Sequence, residues 1–322
     1  MFIQTLQNFP KQFSWEPKVV NPENLAKKEN TIVVGMGGSH LGADLVKLCL
    51  PSLSINIHTS YGLPDVSEKN LKNSLIILSS YSGNTEEVID SFNTAFTQGL
   101  ALAVATTGGQ LLDLAIKNNI AYIKLPAENI QPRLALGYSF RAILKLLDET
   151  NTLGESDALV NKLDLDLIKN KSTNLIEKLQ NKIPVIYSSL KNKALADIWK
   201  IKFNETSKIP AFSNVFPELN HNEMSGFDSN SATQDLMDKF YFIFLQDRTD
   251  SEIILKRIDA TKNILEQQNF KVDILPFFGD TKTESIFNSL LLVDYISFGL
   301  AEFYNNDPEQ VPLVEKFKKM MS

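Results

Sequence analysis

Apolar positions in the first half of the chain fall in short, nearly unbroken runs: Thr31–Val34, Ile55–His58, Leu75–Leu78, Ala101–Ala105 and Ala121–Leu125. Between most of them the apolar spacing changes to three and four, as in Glu86–Phe96 and Gln110–Lys117. Such runs mark strands buried on both faces, and helices between them mark the βαβ units of a parallel sheet. A long amphipathic stretch, Tyr138 to Leu179, follows and is interrupted by the polar run Asp148–Asp157. That run is the strongest boundary signal, so the pattern predicts one domain over 1–150 and a second over 151–322. The second half repeats the alternation, with strands at Pro184–Tyr187, Phe240–Leu245 and Val272–Leu275. Helices are expected over Ala194–Asn204, Ser251–Gln267, Glu284–Tyr304 and Leu313–Met321. The fold class is α/β, with each domain a parallel sheet flanked by helices.

Length and composition sharpen this picture. A chain of 322 residues, at about 150 per domain, agrees with two domains. Hydrophobic residues make up 43% and charged residues 22%, a globular balance. The net charge of −6 argues against a nucleic-acid or polybasic membrane partner. Cys49 is the only cysteine, which excludes an intrachain disulfide and a thiolate metal cluster. Three histidines, His40, His58 and His221, leave little for a histidine metal site, so no metal is expected. The first residues lack the basic and apolar regions of a signal peptide. The apolar segment Leu290–Tyr304, broken by Asp294 and Glu302, reads as too short and too charged to span a bilayer. A soluble, cytoplasmic protein is expected.

Two loops carry the candidate chemistry. Gly35, Gly37, Gly38 and Gly42 fall within eight positions, although the chain has only 14 glycines. They lie between the first strand and the helix suggested by Leu41–Leu50, where bare backbone and free helix-start amides suit a bound anion. The alternative is a tight turn without a ligand. The spacing is not that of a dinucleotide fingerprint, since the third glycine would fall on His40, and no G-K-[ST] follows. The third strand runs into Ser80-Tyr81-Ser82-Gly83-Asn84-Thr85, then Glu86-Glu87 opens a helix. Hydroxyls at Ser80, Ser82 and Thr85 before a helix start would suit a phosphate; the alternative is a turn with Thr85 as N-cap. In an open sheet of flavodoxin-like order the first and third strands are neighbours, so both loops would face one crevice.

These residues resemble a known family. Gly35-Met36-Gly37-Gly38-Ser39 with Asp44, and the Ser80–Thr85 loop, are similar to the phosphate site of sugar isomerase (SIS) domains. Pro132-Arg133-Leu134-Ala135-Leu136-Gly137-Tyr138, Asn204–Lys208, Pro217-Glu218-Leu219-Asn220-His221-Asn222-Glu223 and the closing Asp307-Pro308…Lys318 narrow it. In this order they resemble the bifunctional phosphoglucose/phosphomannose isomerase family, whose members have two SIS-type, flavodoxin-like domains. The resemblance implies interconversion of glucose 6-phosphate, and mannose 6-phosphate, with fructose 6-phosphate, without a cofactor. It implies that Gly37, Gly38, Ser39, Ser80, Ser82 and Thr85 bind substrate, the hydroxyls mainly through its phosphate. Arg133 would lie at the reacting carbons, Glu205 would be the base, His221 would open the ring and Lys318 would complete the site. It further implies a homodimer in which His221 enters the neighbouring subunit's site. Glu309-Gln310 departs from the small residue and proline usual after Asp-Pro.

The residues themselves bear on this chemistry. Aldose–ketose isomerisation needs a base, a dipole or cation for the developing oxyanion and a group that opens the ring. Glu205 lies near a helix end, where the dipole disfavours negative charge, and desolvation there would raise its pKa. The alternative is a surface carboxylate neutralised by Lys202 or Lys208. His221 sits between Asn220 and Asn222 in a polar stretch, so it is a site histidine or a solvated one. Arg133 follows Pro132, which restricts the entry to its loop; the alternative is a surface ion pair. His40 and His58 read as structural or peripheral, and Trp199 with Phe240–Phe244 as core. Two rival functions stand: a non-catalytic sugar-phosphate-binding SIS regulator, and an SIS isomerase of another sugar phosphate. A regulator is expected to carry a helix-turn-helix, for which the 30 residues before Thr31 are too few.

Overall fold

A computed structural model describes residues 2–228 and 232–321. The chain forms two compact units, Gln7–Leu163 and Asp164 onward, the second including the residues before Gln7. The polar run Asp148–Asp157 is therefore not the junction. Its residues Thr150–Asp157 are helical and belong to the first unit. Arg141, almost wholly buried, anchors that helix by donating to Ser156 Oγ at 2.7 Å and to Asp157 Oδ1 at 2.6 Å. A distant arginine, invisible to local composition, orders the polar run.

Ten strands occur among the described residues. In the first unit they are β1 (Val19–Val20), β2 (Asn30–Val34), β3 (Ile55–His58), β4 (Ser74–Ser80), β5 (Ala101–Thr106) and β6 (Ala121–Lys124). Their order is β1-β6-β5-β4-β2-β3; β1 pairs antiparallel at one edge and all other pairs are parallel. The chain begins with α1 (Phe2–Asn8), most of which belongs to the second unit; the helices of the first are α2 (Leu41–Cys49), α3 (Glu68–Lys72), α4 (Glu86–Thr97), α5 (Gly109–Lys117), α6 (Leu136–Leu146), α7 (Thr150–Asp157) and α8 (Leu159–Lys162). Ile32, Val34, Ile76, Leu78 and Val104 form a core with Val88 and Phe92 of α4 and Leu111 of α5. The alternate residues Val33, Ile77 and Ala103 are buried too. Both faces are covered, which is why these strands read as continuous apolar runs.

The second unit has β7 (Ile183–Ser189), β8 (Phe212–Phe216), β9 (Phe240–Gln246) and β10 (Lys271–Pro276), all parallel, in the order β10-β9-β7-β8. Its helices are α9 (Leu165–Leu179), α10 (Lys193–Lys202), α11 (Gln234–Met237), α12 (Glu252–Gln267), α13 (Lys282–Phe303) and α14 (Pro312–Met321). Strand β8 escapes the hydrophobic pattern because it holds the edge position beside β7, with Phe212 exposed and Ser213 and Asn214 half-buried. Aromatic packing dominates the core: Tyr187 stacks on Phe244 at 5.4 Å, and Phe242 meets Phe227 and Phe270 edge-on at 4.9 and 5.3 Å.

Helix α13 corrects one expectation. It runs 22 residues and is long and apolar enough to cross a membrane by length and composition, but 78% of its apolar window is buried within the protein. Counting only the parallel strands of each unit, both sheets place their third strand beside their first, so each has a switch point there: β2/β4 in one, β7/β9 in the other.

Candidate active site

In the first unit, β2 leads into a 3-10 turn, Gly37–Ser39, and then α2, while β4 leads through residues 81–85 into α4. Because β2 and β4 pair directly, the two loops lie side by side and are joined. Ser79 Oγ donates to the Ser39 carbonyl at 2.6 Å, and the Tyr81 amide donates to Ser39 Oγ at 3.0 Å. Gly38 packs against a third segment: a Cβ there would lie 2.7 Å from Arg133 N and 2.9 Å from Pro132. Only a residue without a side chain permits that approach.

The hydroxyl loop divides its labour. Ser80 is fully buried; its Oγ accepts from the Gly83 amide at 3.1 Å and lies 2.8 Å from Thr85 Oγ1. Ser82 is exposed, and its Oγ accepts from the Asn84 amide at 3.2 Å. Gly83 has φ +70°, and a Cβ would sit 1.7 Å from the Gly108 carbonyl oxygen, so no other residue fits. Thr85 holds the N-cap position of α4, but its side chain makes no capping bond. His40 belongs to this neighbourhood, its Nδ1 2.6 Å from Asp44 Oδ2 one helical turn on.

Arg133 lies in the 3-10 turn Pro132–Leu134 and is a buried side chain, 2% exposed, rather than a surface one. Gln12 braces that segment: its Nε2 donates to the Leu134 carbonyl at 2.7 Å, and its Oε1 accepts from the Gly137 amide at 2.8 Å. Tyr138 donates to Glu128 Oε1 at 2.5 Å. Burial first, then the bond to and charge of Glu128, push the Tyr138 pKa up, which keeps its hydroxyl a donor. Glu128 lies outside every motif in the sequence; only the fold brings it to one.

In the second unit, α10 passes into a π-helical turn, Phe203–Ser207, that carries half-buried Glu205. Such turns are rare and occur frequently at functional sites. Lys208 closes the turn at φ +60° and donates its ammonium to the Glu205 carbonyl oxygen. Lys202, one of the two lysines considered as a neutraliser of Glu205, is fully buried 2.7 Å from Asp294 Oδ1.

His221 follows β8 and the 3-10 turn Glu218–Asn220, and its neighbours hold the loop. Asn220 Nδ2 donates to Thr261 Oγ1 at 2.8 Å, and Asn222 Nδ2 donates to Glu218 Oε1 at 2.7 Å. Glu223 accepts from Tyr187 Oη at 2.6 Å and from Asn214 Nδ2. Burial first, then Glu223, raise the Tyr187 pKa, so this hydroxyl also stays a donor. The polar residues of the motif are thus largely scaffold, and His221 is presented exposed. Lys318 is on the exposed face of α14, 2.9 Å from Glu315. Gly37, Gly38, Ser39, Ser80, Ser82, Thr85 and Arg133 are therefore gathered in one unit, while Glu205, His221 and Lys318 sit on three elements of the other.

The second unit's switch point has the opposite electrostatic character. Beyond β7 and β9, Lys191 lies 3.3 Å from Asp247 and 3.1 Å from Asp250, and Asn192 Nδ2 donates to Asp247 at 3.3 Å. Burial would raise the Asp247 pKa. Hydrogen bonds from the Thr249 amide and hydroxyl and from Asn192, with the Lys191 charge, hold it below the usual carboxylate value. An acid–lysine network occupies the place where the first unit presents hydroxyls and glycines.

Comparison with known proteins identifies the family. Residues 168–321 match the family described as the bacterial phospho-glucose isomerase C-terminal SIS domain. A bifunctional phosphoglucose/phosphomannose isomerase of Caldicellulosiruptor bescii is 31% identical over 311 residues, covering 91% of this chain and 90% of the relative. The protein of the same name from Aquifex aeolicus is 30% identical over 321 residues, covering 98% and 97%. Among solved structures, a glucosamine-6-phosphate deaminase from Thermotoga maritima aligns with a TM-score of 0.70 at 15% identity, over 97% of this chain and 96% of that one. That last likeness concerns the fold alone. On the Caldicellulosiruptor and Aquifex relatives, the chain belongs to the bifunctional phosphoglucose/phosphomannose isomerase family.

Proposed function

We propose that this protein is an aldose–ketose isomerase that interconverts glucose 6-phosphate and mannose 6-phosphate with fructose 6-phosphate in the cytoplasm, as a homodimer and without a cofactor. The observation that carries the reading is the joined pair of loops at the β2/β4 switch point, in a chain of this family. The exposed Ser82 hydroxyl, Thr85 and the start of α4 suit a phosphate dianion, helped by Ser39 and by the close backbone at Gly37 and Gly38. Ser80 holds the loop in shape. Arg133 offers a cation to the oxyanion that develops on the reacting carbons.

Glu205 takes the proton from one carbon and returns it to its neighbour, passing through an enediolate. His221 moves the proton between ring oxygen and anomeric hydroxyl that opens the sugar, and Lys318 completes the site. The exposed placement of His221 on a braced loop supports its entry into a neighbouring subunit's site. The acid–lysine network at β7/β9 repels an anion, which supports a single phosphate locus, at β2/β4.

The test is a coupled assay with all three sugar phosphates on the wild-type and Glu205→Gln proteins. The variant keeps size and hydrogen bonding but cannot take the proton, so turnover should fall by at least about 10²–10⁴-fold while substrate still binds. Exchange of the C2 proton with solvent deuterium should vanish with it. Exchange at the wild-type rate in Glu205→Gln would mean another base, and a wild-type protein that binds without turnover would be a sensor.

A further inference from the structure

The second unit buries an ion pair on two side chains to which the reaction assigns no role. Lys202 Nζ and Asp294 Oδ1 are 2.7 Å apart, and both side chains are 0% exposed. A buried ion pair is a poor stabiliser, because desolvating two charges offsets most of their attraction, and an apolar pair of similar volume commonly does as well. What such a pair can supply is register, since only one geometry satisfies both charges.

Its location says which register. Lys202 is the last residue of α10, immediately before the π-helical turn Phe203–Ser207, and Asp294 is in the middle of α13. The far end of the turn is tied to the same helix: Ser207 Oγ donates to the Ser297 carbonyl at 2.8 Å. Asn306, just past α13, donates to the Ser207 carbonyl at 2.9 Å. One turn earlier on α10, Trp199 Nε1 donates to Ser289 Oγ at 3.1 Å. Asp294 and Ser297 are three residues apart and so share a face of α13. The turn is thus clamped before and after Glu205, while Glu205 itself remains half-buried between the clamps.

We infer that the Lys202–Asp294 pair and the Ser207–Ser297 bond are a positioning device that holds the π-helical turn so that the Glu205 carboxylate stands at its working distance. This rests on the reading of Glu205 as the base. A wide turn is the less stable alternative to continuing the α-helix, and it persists where surrounding contacts dictate it. Misplacing a reacting group by about 1 Å can cost up to about 10²-fold in rate, so a loosened turn should slow proton transfer without weakening phosphate binding.

The experiment compares wild type, Glu205→Gln, the double variant Lys202→Met/Asp294→Leu and the mild variant Ser207→Ala. The double variant replaces the pair by apolar side chains and leaves no charge unpaired, so the fold should be retained. Its kcat should fall about tenfold or more with KM changed less than about twofold. Ser207→Ala should lower kcat in the same pattern by a smaller factor, and it decides the matter alone should the double variant not fold. Wild-type kcat in a folded double variant, or a change confined to KM, would overturn the proposal while an inactive Glu205→Gln left the base assignment standing. An active Glu205→Gln would remove the base assignment and this proposal with it.

Discussion

At the residue scale, the hydroxyls of the Ser80–Thr85 loop are not equivalent. Ser82 is exposed beside the start of α4, whereas half-buried Thr85 makes no capping bond but lies 2.8 Å from Ser80 Oγ. Ser80 is fully buried and holds the Gly83 amide. Removing a hydroxyl that binds a charged phosphate should cost about 1.5–3 kcal/mol of affinity, so Ser82→Ala should raise KM with little change in melting temperature. Ser80→Ala removes a fully buried hydroxyl that accepts from the Gly83 amide and lies 2.8 Å from Thr85 Oγ1, and since that amide keeps its bond to the Ser80 carbonyl the loss should be about 0.5–1.5 kcal/mol of stability. Calorimetric titration with inorganic phosphate, beside thermal melts, separates the two. Equal loss of stability in both proteins would contradict this division.

At the scale of elements, the same strand order ends in two different crevices. The β2/β4 crevice presents glycines and hydroxyls, and the β7/β9 crevice presents Asp247 and Asp250 with Lys191. The folded state holds Asp247 below its usual pKa. Between the folded and unfolded values the unfolded chain therefore binds more protons, so acid favours unfolding. The contribution is fully present above the ordinary Asp value of about 4 and is lost as pH falls through the lower folded value. Asp247→Asn removes it, so the drop in melting temperature between about pH 7 and pH 3 should be smaller in the variant than in the wild type. An identical drop would mean that this carboxyl titrates alike in both states.

At the scale of the whole molecule, the proposed dimer makes a prediction that no single subunit can satisfy. Glu205→Gln and His221→Ala proteins should each be nearly inactive as homodimers. Mixed and allowed to exchange, half the dimers are hybrids with one site built from an intact Glu205 and the other subunit's intact His221. Activity should return to about one quarter of wild type, as closed two-fold assembly requires. No recovery, in a mixture shown to contain hybrids, would place both residues in one subunit's site.

Much of this protein is legible along the chain because its signals are local. Strands β2, β4 and β5 announce themselves, since a parallel sheet covered on both faces needs continuous apolar runs. The glycines, the Ser80–Thr85 loop, Pro132–Tyr138 and Pro217–Glu223 are contiguous, so their types and spacing survive without the fold. The rest depends on partners far apart in the sequence. Edge strand β8 needs β7 beside it, and helix α7 needs Arg141 to order a run that composition reads as a break. Nothing near Glu128 links it to Tyr138, and nothing near Lys202 points to Asp294, ninety-two positions away. A sequence carries the propensity of each residue; which charge it meets, and whether its hydroxyl turns to a ligand or to a backbone amide, is settled when tertiary packing removes water from one side of it.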